Sequence, residues 1–185
     1  MALHCFDSVV PEAIPPAAIV LGYVDGAWPT YDVLHERFKK ATTLVVSVTT
    51  GTADASILDC ERGNATPDTA AKWAIERLSD QKHPTIYGGR DALEAVMTGL
   101  RRRNVRADLV SYFLADWTQV GVSQSHLKWP RRVPAPYAAW QFAGSVQVAG
   151  GHRVDASIVN RAWAERLGWT GNAGRSQRRL FRVVG

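Results

Sequence analysis

Ile57-Leu58-Asp59-Cys60-Glu61, followed at once by Arg62-Gly63-Asn64, is the stretch whose reading decides the fold. Side chains alternate along a β-strand, so Asp59 and Glu61 fall on one face together with Ala55 and Ile57. Leu58 and Cys60 fall on the other. In a barrel of alternating strands and helices the first face fills the interior and the second meets the helix layer. The break at Arg62-Gly63-Asn64 puts the acid pair at the C-terminal end of its strand, where such barrels carry their active sites.

Outward from that strand, short apolar runs recur along the chain. They are Leu3–Asp7, Ala18–Val24, Thr43–Thr49, Ala55–Glu61, Pro84–Tyr87, Leu109–Trp117, Tyr137–Phe142 and Arg153–Asp155. Helical spacing lies between several of them. Leu34, Phe38 and Ala41 share one face. Thr66-Pro67-Asp68 is a helix start, with a capping hydroxyl, a first-turn proline and an acid near the positive end of the dipole. Ala70, Trp73, Ala74 and Leu78 then form an apolar stripe, as do Leu93, Val96, Met97 and Leu100. Arg101-Arg102-Arg103 suits the negative end of that second helix. A last helix is expected near Ser157–Leu167, with Ile158, Ala162 and Leu167 inward. Strands alternating with helices imply a parallel sheet. A full eightfold barrel takes about 200 residues or more, and this chain has 185. The expected fold is therefore α/β, a small irregular (β/α) barrel of the TIM type with missing or shortened helices. Residues 8–17 and 121–136 lack helical spacing and are where it would economise.

The net charge of +5 is unevenly spread. Gly168–Gly185 holds Arg175, Arg178, Arg179 and Arg182 and no acid, which leaves 18 basic residues against 17 acidic ones in the rest. The nearly neutral body argues against nucleic acid as a partner. The chain divides into a barrel over 1–167 and a basic arm over 168–185. Leu180, Phe181, Val183 and Val184 lie among the arginines, so the arm is expected to dock on other protein subunits. The first residues show no charged leader with an apolar run, so no signal peptide is expected. No stretch approaches the roughly 20 apolar residues of a membrane span. Cys5 and Cys60 are expected to be free thiols on opposite faces of the barrel wall. No His/Cys cluster has metal-ligand spacing, and neither a metal nor a cofactor is expected.

A carboxylic acid whose neighbour is ionised holds its proton to higher pH. Such a pair can protonate a glycosidic oxygen and steady the positive charge left on the sugar. Glu61, with the longer reach, is the candidate acid, and Asp59 its partner. The plainer reading pairs both with Arg62 or Lys72 as strand-end charges. Asp7, Asp25 and Asp155 each lie at or near the end of an apolar run, so parallel strands would gather them at the same rim. Taken singly, each reads first as a helix cap or turn residue. Trp28, Tyr87, Trp117 and Trp140 lie at or near strand ends and could stack on sugar rings. Trp73 and Trp163, on helical faces, read as core.

The order Asp7, Asp59-Cys60-Glu61, Ile86-Tyr87, Trp140-Gln141-Phe142 and Val154-Asp155 resembles glycoside hydrolase family 25 over residues 5–167. That resemblance implies a lysozyme-like muramidase fold. It implies cleavage between muramic acid and glucosamine in peptidoglycan, with Glu61, Asp59, Asp155 and Asp7 as the carboxylates. The segments Gly22–Tyr31 and Glu61–Pro67 also resemble a group of lysozyme-like proteins found in actinobacteria and their phages. Asp7-Ser8-Val9 matches the family's opening motif loosely, and Asp25-Gly26 competes with Asp7 for that position.

Two functions follow. One is a peptidoglycan-directed glycoside hydrolase with Glu61 as acid. The other is a non-catalytic structural or glycan-binding component of a phage virion. Either would be made in the cytoplasm and incorporated in a virion or released by lysis.

Overall fold

The structure, a computed structural model, describes residues 2–170. Its eight strands are β1 (Leu3–Asp7), β2 (Ile19–Tyr23), β3 (Thr42–Ser47), β4 (Ile57–Asp59), β5 (Thr85–Gly88), β6 (Ser111–Val120), β7 (Ala139–Gln147) and β8 (Arg153–Val159). They close into a barrel in chain order. The (β/α) barrel is thus the observed architecture, with one correction. Strands β1 to β7 are parallel, but β8 runs antiparallel to both β7 and β1. The cause is local. Residues 148–152 form a tight connection closed by Val148 N–H donating to the His152 carbonyl at 3.0 Å. Gly150 and Gly151 take φ of +80° and +76° there. A parallel return needs a crossover of about a dozen residues or more, whereas a short turn gives a hairpin.

Four helices flank the barrel: α1 (Tyr31–Arg37), α2 (Pro67–Ser79), α3 (Arg90–Arg102) and α4 (Arg161–Arg166). Segments 8–17 and 121–136 hold only single 3-10 turns, at Pro11–Ala13 and Gln124–His126. The start of α2 matches its sequence signals. Thr66 accepts from the Thr69 N–H, and the Thr69 side chain returns a bond to the Thr66 N–H. The last helix corrects the sequence reading, because Ser157–Val159 complete β8 and α4 begins only at Arg161. Ser157 pairs with both Cys5 and Gln141 in the sheet. The inward residues of α4 are Trp163 and Ala164, while Ala162 is exposed.

Alternation along the strands sorts the core into two layers. Cys5, Leu21, Val46, Ile57, Tyr87 and Phe113 pack together inside the barrel. Leu58, Cys60 and Ile86 pack outside it, against Ala70, Trp73 and Ala74 of α2 and Leu93, Val96 and Leu100 of α3. Cys5 and Cys60 are free and lie in different layers. The lower end of the interior is plugged by aromatics. Phe113 meets Tyr87 and Trp163 edge to face, at ring-centroid distances of 5.2 and 5.8 Å. Trp163 donates its indole N–H to Thr85 Oγ1 at 3.0 Å. Side chains so enclosed typically cost about 3–5 kcal/mol to truncate. Trp169, placed by sequence in the arm, is buried in this same layer with Arg161 over its ring. The remainder of the arm, residues 171–185, lies outside the described residues.

Candidate active site

With the lower end plugged, the upper end is where polar groups collect. A cleft of about 540 Å³ opens there, lined by the C-terminal ends of β1, β2, β4 and β5, by the top of β6 and by the start of β8. Its volume is that of an ordinary small-ligand site. The antiparallel course of β8 is what brings Asp155, near the beginning of its strand, to the rim where the parallel strands end. Asp7 and Asp155 are direct partners in the β1–β8 register.

Asp59 closes β4 and caps its own turn. Its Oδ1 accepts the Glu61 N–H at 2.8 Å, and its Oδ2 accepts the Tyr23 hydroxyl at 3.3 Å. The Asn64 side chain supplies another hydrogen bond. Desolvation by burial raises the Asp59 pKa, and these three donors oppose the rise. Glu61 stands above it at the solvent-accessible edge. Desolvation by the cleft walls, then the charges of Asp59 and Asp155, raise its pKa from 4.5 to about 7. Among the described residues neither acid has an ion pair with Arg62 or Lys72, and Lys72 instead pairs with Asp68 at 2.8 Å.

Asp7 is buried, and its pKa is raised by desolvation first and by Asp155, Glu61 and Asp59 next. Burial also raises Asp155, against the hydrogen bonds it accepts from the Ser145 N–H and Gln141. The Ser145 bond, 2.8 Å long, arises where the β7–β8 register shifts between Ala143 and Val146.

Gln141 ties these acids to the aromatic wall. Its Oε1 accepts from the Tyr87 hydroxyl at 2.6 Å and the Trp117 indole N–H at 2.9 Å. That leaves Nε2 to donate to Asp155 Oδ2 at 3.0 Å and Asp7 Oδ1 at 3.5 Å. The two accepted bonds fix which way the amide points. Trp117 itself is half exposed and lies on Gly144, where a Cβ would come within 2.6 to 2.8 Å of the indole. Trp28, 63% exposed, stands at another edge of the cleft.

The structure thus brings Glu61, Asp59, Asp155 and Asp7 to one cleft, with Trp28, Tyr87 and Trp117 in its walls. It excludes Trp140, a correction to the sequence reading. With Gln141 inward, alternation turns Trp140 outward. There it packs edge-on to Phe142 and donates to the Asp116 carbonyl at 2.8 Å. Asp25 lies on the cleft margin, but its carboxylate is consumed by the β3 loop. It accepts from Ser47 Oγ at 2.5 Å, Val48 N–H at 2.7 Å, Thr49 Oγ1 at 2.7 Å and Thr52 Oγ1 at 2.8 Å.

Tyr23, Asn64, Ser145 and Arg153 line the cleft, and Gln141 is the buried partner of Asp7 and Asp155; sequence reasoning did not single these out as site residues. Tyr23 follows Ile19 and Leu21 at strand spacing, so the alternation that placed Asp59 could have found it. Asn64 and Ser145 depend on a turn and a bulge that leave no such signal.

No protein-family model matches the chain, and the curated proteins contain no match to it. Among solved structures, an uncharacterized protein of B. stearothermophilus is similar with a TM-score of 0.64 at 12% identity, over 89% of this chain and 99% of that one. The Clostridium perfringens spore cortex lytic enzyme SleM is similar with a TM-score of 0.56 at 10% identity, over 86% of this chain and 67% of that one. At these identities the likeness is one of fold: this chain is a small (β/α) barrel of the shape that SleM also has.

Proposed function

We propose that the protein is a peptidoglycan-directed glycoside hydrolase of the muramidase type, with Glu61 as general acid. The observation that carries this reading is the gathering of four carboxyls in one cleft, where Glu61 keeps its proton to about pH 7. An acid poised near neutrality suits protonation of a leaving oxygen. In the proposed reaction Glu61 gives its proton to the glycosidic oxygen as the C–O bond breaks. Positive charge grows on the sugar ring and is offset by ionised Asp59 and Asp155. A water molecule then adds to the anomeric carbon, and its proton restores the acid. Tyr23 and Asn64 hold Asp59 in place, and Gln141 holds Asp155. Trp28 and Trp117 offer apolar faces to sugar rings.

The resemblance to family 25, and to its actinobacterial and phage relatives, supports this reading. So does the fold shared with a named cortex-lytic enzyme. We further propose that the part of the arm beyond Thr170 serves other protein subunits, and that the protein reaches the wall in a virion or on lysis. The test is digestion of purified peptidoglycan followed by borohydride reduction and mass analysis. New reducing ends on muramic acid are expected. Binding to the wall without new reducing ends would replace the hydrolase with a glycan-binding module.

A further inference from the structure

Among the described residues, one that lines the cleft is cationic. Arg153 opens β8, two residues before Asp155 and on the same strand face. Val154 between them is buried in the outer layer, which fixes that alternation. Arg153 is therefore aimed along the cleft side of the rim, one step nearer solvent than Asp155. It is exposed. Among the described residues its guanidinium has no ion pair, although Asp155 and Glu61 line the same cleft. Its backbone, by contrast, is pinned. The Arg153 carbonyl accepts from Ser8 Oγ at 2.9 Å, and Ser8 Oγ accepts the Val10 N–H at 3.1 Å.

The electrostatics of the cleft give this residue a task. Asp7, Asp25, Asp59, Glu61 and Asp155 all border it, so an anionic ligand is repelled wherever those acids are ionised. A carboxylate on the ligand can approach only beside a counter-charge. A guanidinium suits it, with a planar fork that matches a carboxylate bidentately.

Resting on the glycan-hydrolase reading above, we propose that Arg153 is a specificity-determining residue. It would bind a carboxylate carried by the glycan beside the bond to be cut, selecting acidic cell-wall glycan over neutral N-acetylglucosamine polymer. That carboxylate has two chemical sources. One is the lactyl group of muramic acid freed of its peptide. The other is a carboxylate of the peptide itself, where the lactyl group is amidated.

The experiment measures binding by calorimetry in the Glu61→Gln protein, which holds substrate without turnover. Three ligands are compared: neutral N-acetylglucosamine tetramer, the alternating glucosamine–muramic acid tetrasaccharide without peptide, and the same tetrasaccharide with peptides. At least one acidic ligand should bind more tightly than the neutral one. Adding Arg153→Gln should weaken that ligand about tenfold or more, the range of a hydrogen bond to a charged group, and leave the neutral tetramer unchanged. Arg153→Lys should recover part of the loss. Whichever acidic ligand responds identifies the source of the carboxylate. An acidic preference that survives Arg153→Gln overturns the role of Arg153 and leaves the hydrolase reading standing, as does equal binding of all three ligands by the parent protein. Failure to bind any of them overturns both.

Discussion

Two sets of acids sit at the same rim of this barrel and behave in opposite ways. Asp25, after β2, accepts four hydrogen bonds from the β3 loop, and these hold its pKa below the ordinary value despite some desolvation. Asp7, Asp59, Glu61 and Asp155 face a shared cleft, and all four are raised, first by desolvation. A carboxylate at a strand end is therefore not functional by position. What separates the sets is the balance of burial and donors: desolvation outweighs the donors at Asp59 and Asp155 and is reinforced by neighbouring carboxylates at Asp7 and Glu61, whereas four donors outweigh it at Asp25. Asp25 is spent on building the loop. Glu61, which has no ion pair among the described residues, keeps a proton to give.

The sharpest break of that contrast is Glu61→Gln. It should lower wall-lytic activity about 10²- to 10⁴-fold, the usual contribution of a general acid, with an unchanged circular dichroism spectrum. Equal clearing of cell walls by both proteins would remove Glu61 from the mechanism. Asp25→Ala should do the reverse. Removing the acceptor of a charge-assisted network is expected to cost about 1–3 kcal/mol in urea unfolding, with turnover at saturating substrate nearly intact. Activity lost without loss of stability would move Asp25 into the site.

A smaller effect is expected at the aromatic wall. Gly144→Ala needs the Trp117 indole to move, since the added methyl would lie 2.6 to 2.8 Å from it. Glycan affinity should fall by up to about tenfold, the scale of one aromatic contact, with a shift in tryptophan fluorescence. Unchanged affinity would take Trp117 out of the binding surface.

The smallest effect is on stability against pH, where the two sets should carry opposite signs. Glu61 has a folded pKa above its unfolded one, so its contribution is complete below about 4.5 and is lost as pH rises through about 7. Asp25 has a depressed folded pKa. Its contribution is present above its unfolded value and is lost as pH falls through the folded one. Melting temperature followed against pH should therefore decline less toward pH 7 in Glu61→Gln, and less on the acid side in Asp25→Asn, than in the native protein. The same sign in both variants would break the contrast.

The sequence made part of this legible. Alternation in Ile57–Glu61 put Asp59 on the inward face and Cys60 outward, because strand period alone decides it. The helix starts were readable where capping is local, as at Thr66. The sense of β8 was not readable, because a short glycine turn and a crossover differ in tertiary closure more than in strand pattern. That one difference extended β8 into the expected helix. It also carried Asp155 to the rim through the beginning of its strand. Trp140 was misplaced by proximity to a strand end, when its parity with Gln141 already turned it outward. Gln141 was visible as part of a motif, but its two accepted and two donated bonds exist only once β1, β5, β6, β7 and β8 are assembled. The opposite fates of Asp25 and Asp59 depend on partners far away in sequence, Ser47 to Thr52 for one and Tyr23 for the other.

The proposed chemistry depends most directly on the proton of Glu61. Its side-chain carboxyl can be followed by ¹³C NMR from pH 3 to 9 in the native protein and in Asp59→Asn. The native carboxyl should titrate with a midpoint of about 7, and removing the Asp59 charge should lower it. A midpoint near the ordinary glutamate value of 4.5, unmoved by Asp59→Asn, would contradict the account.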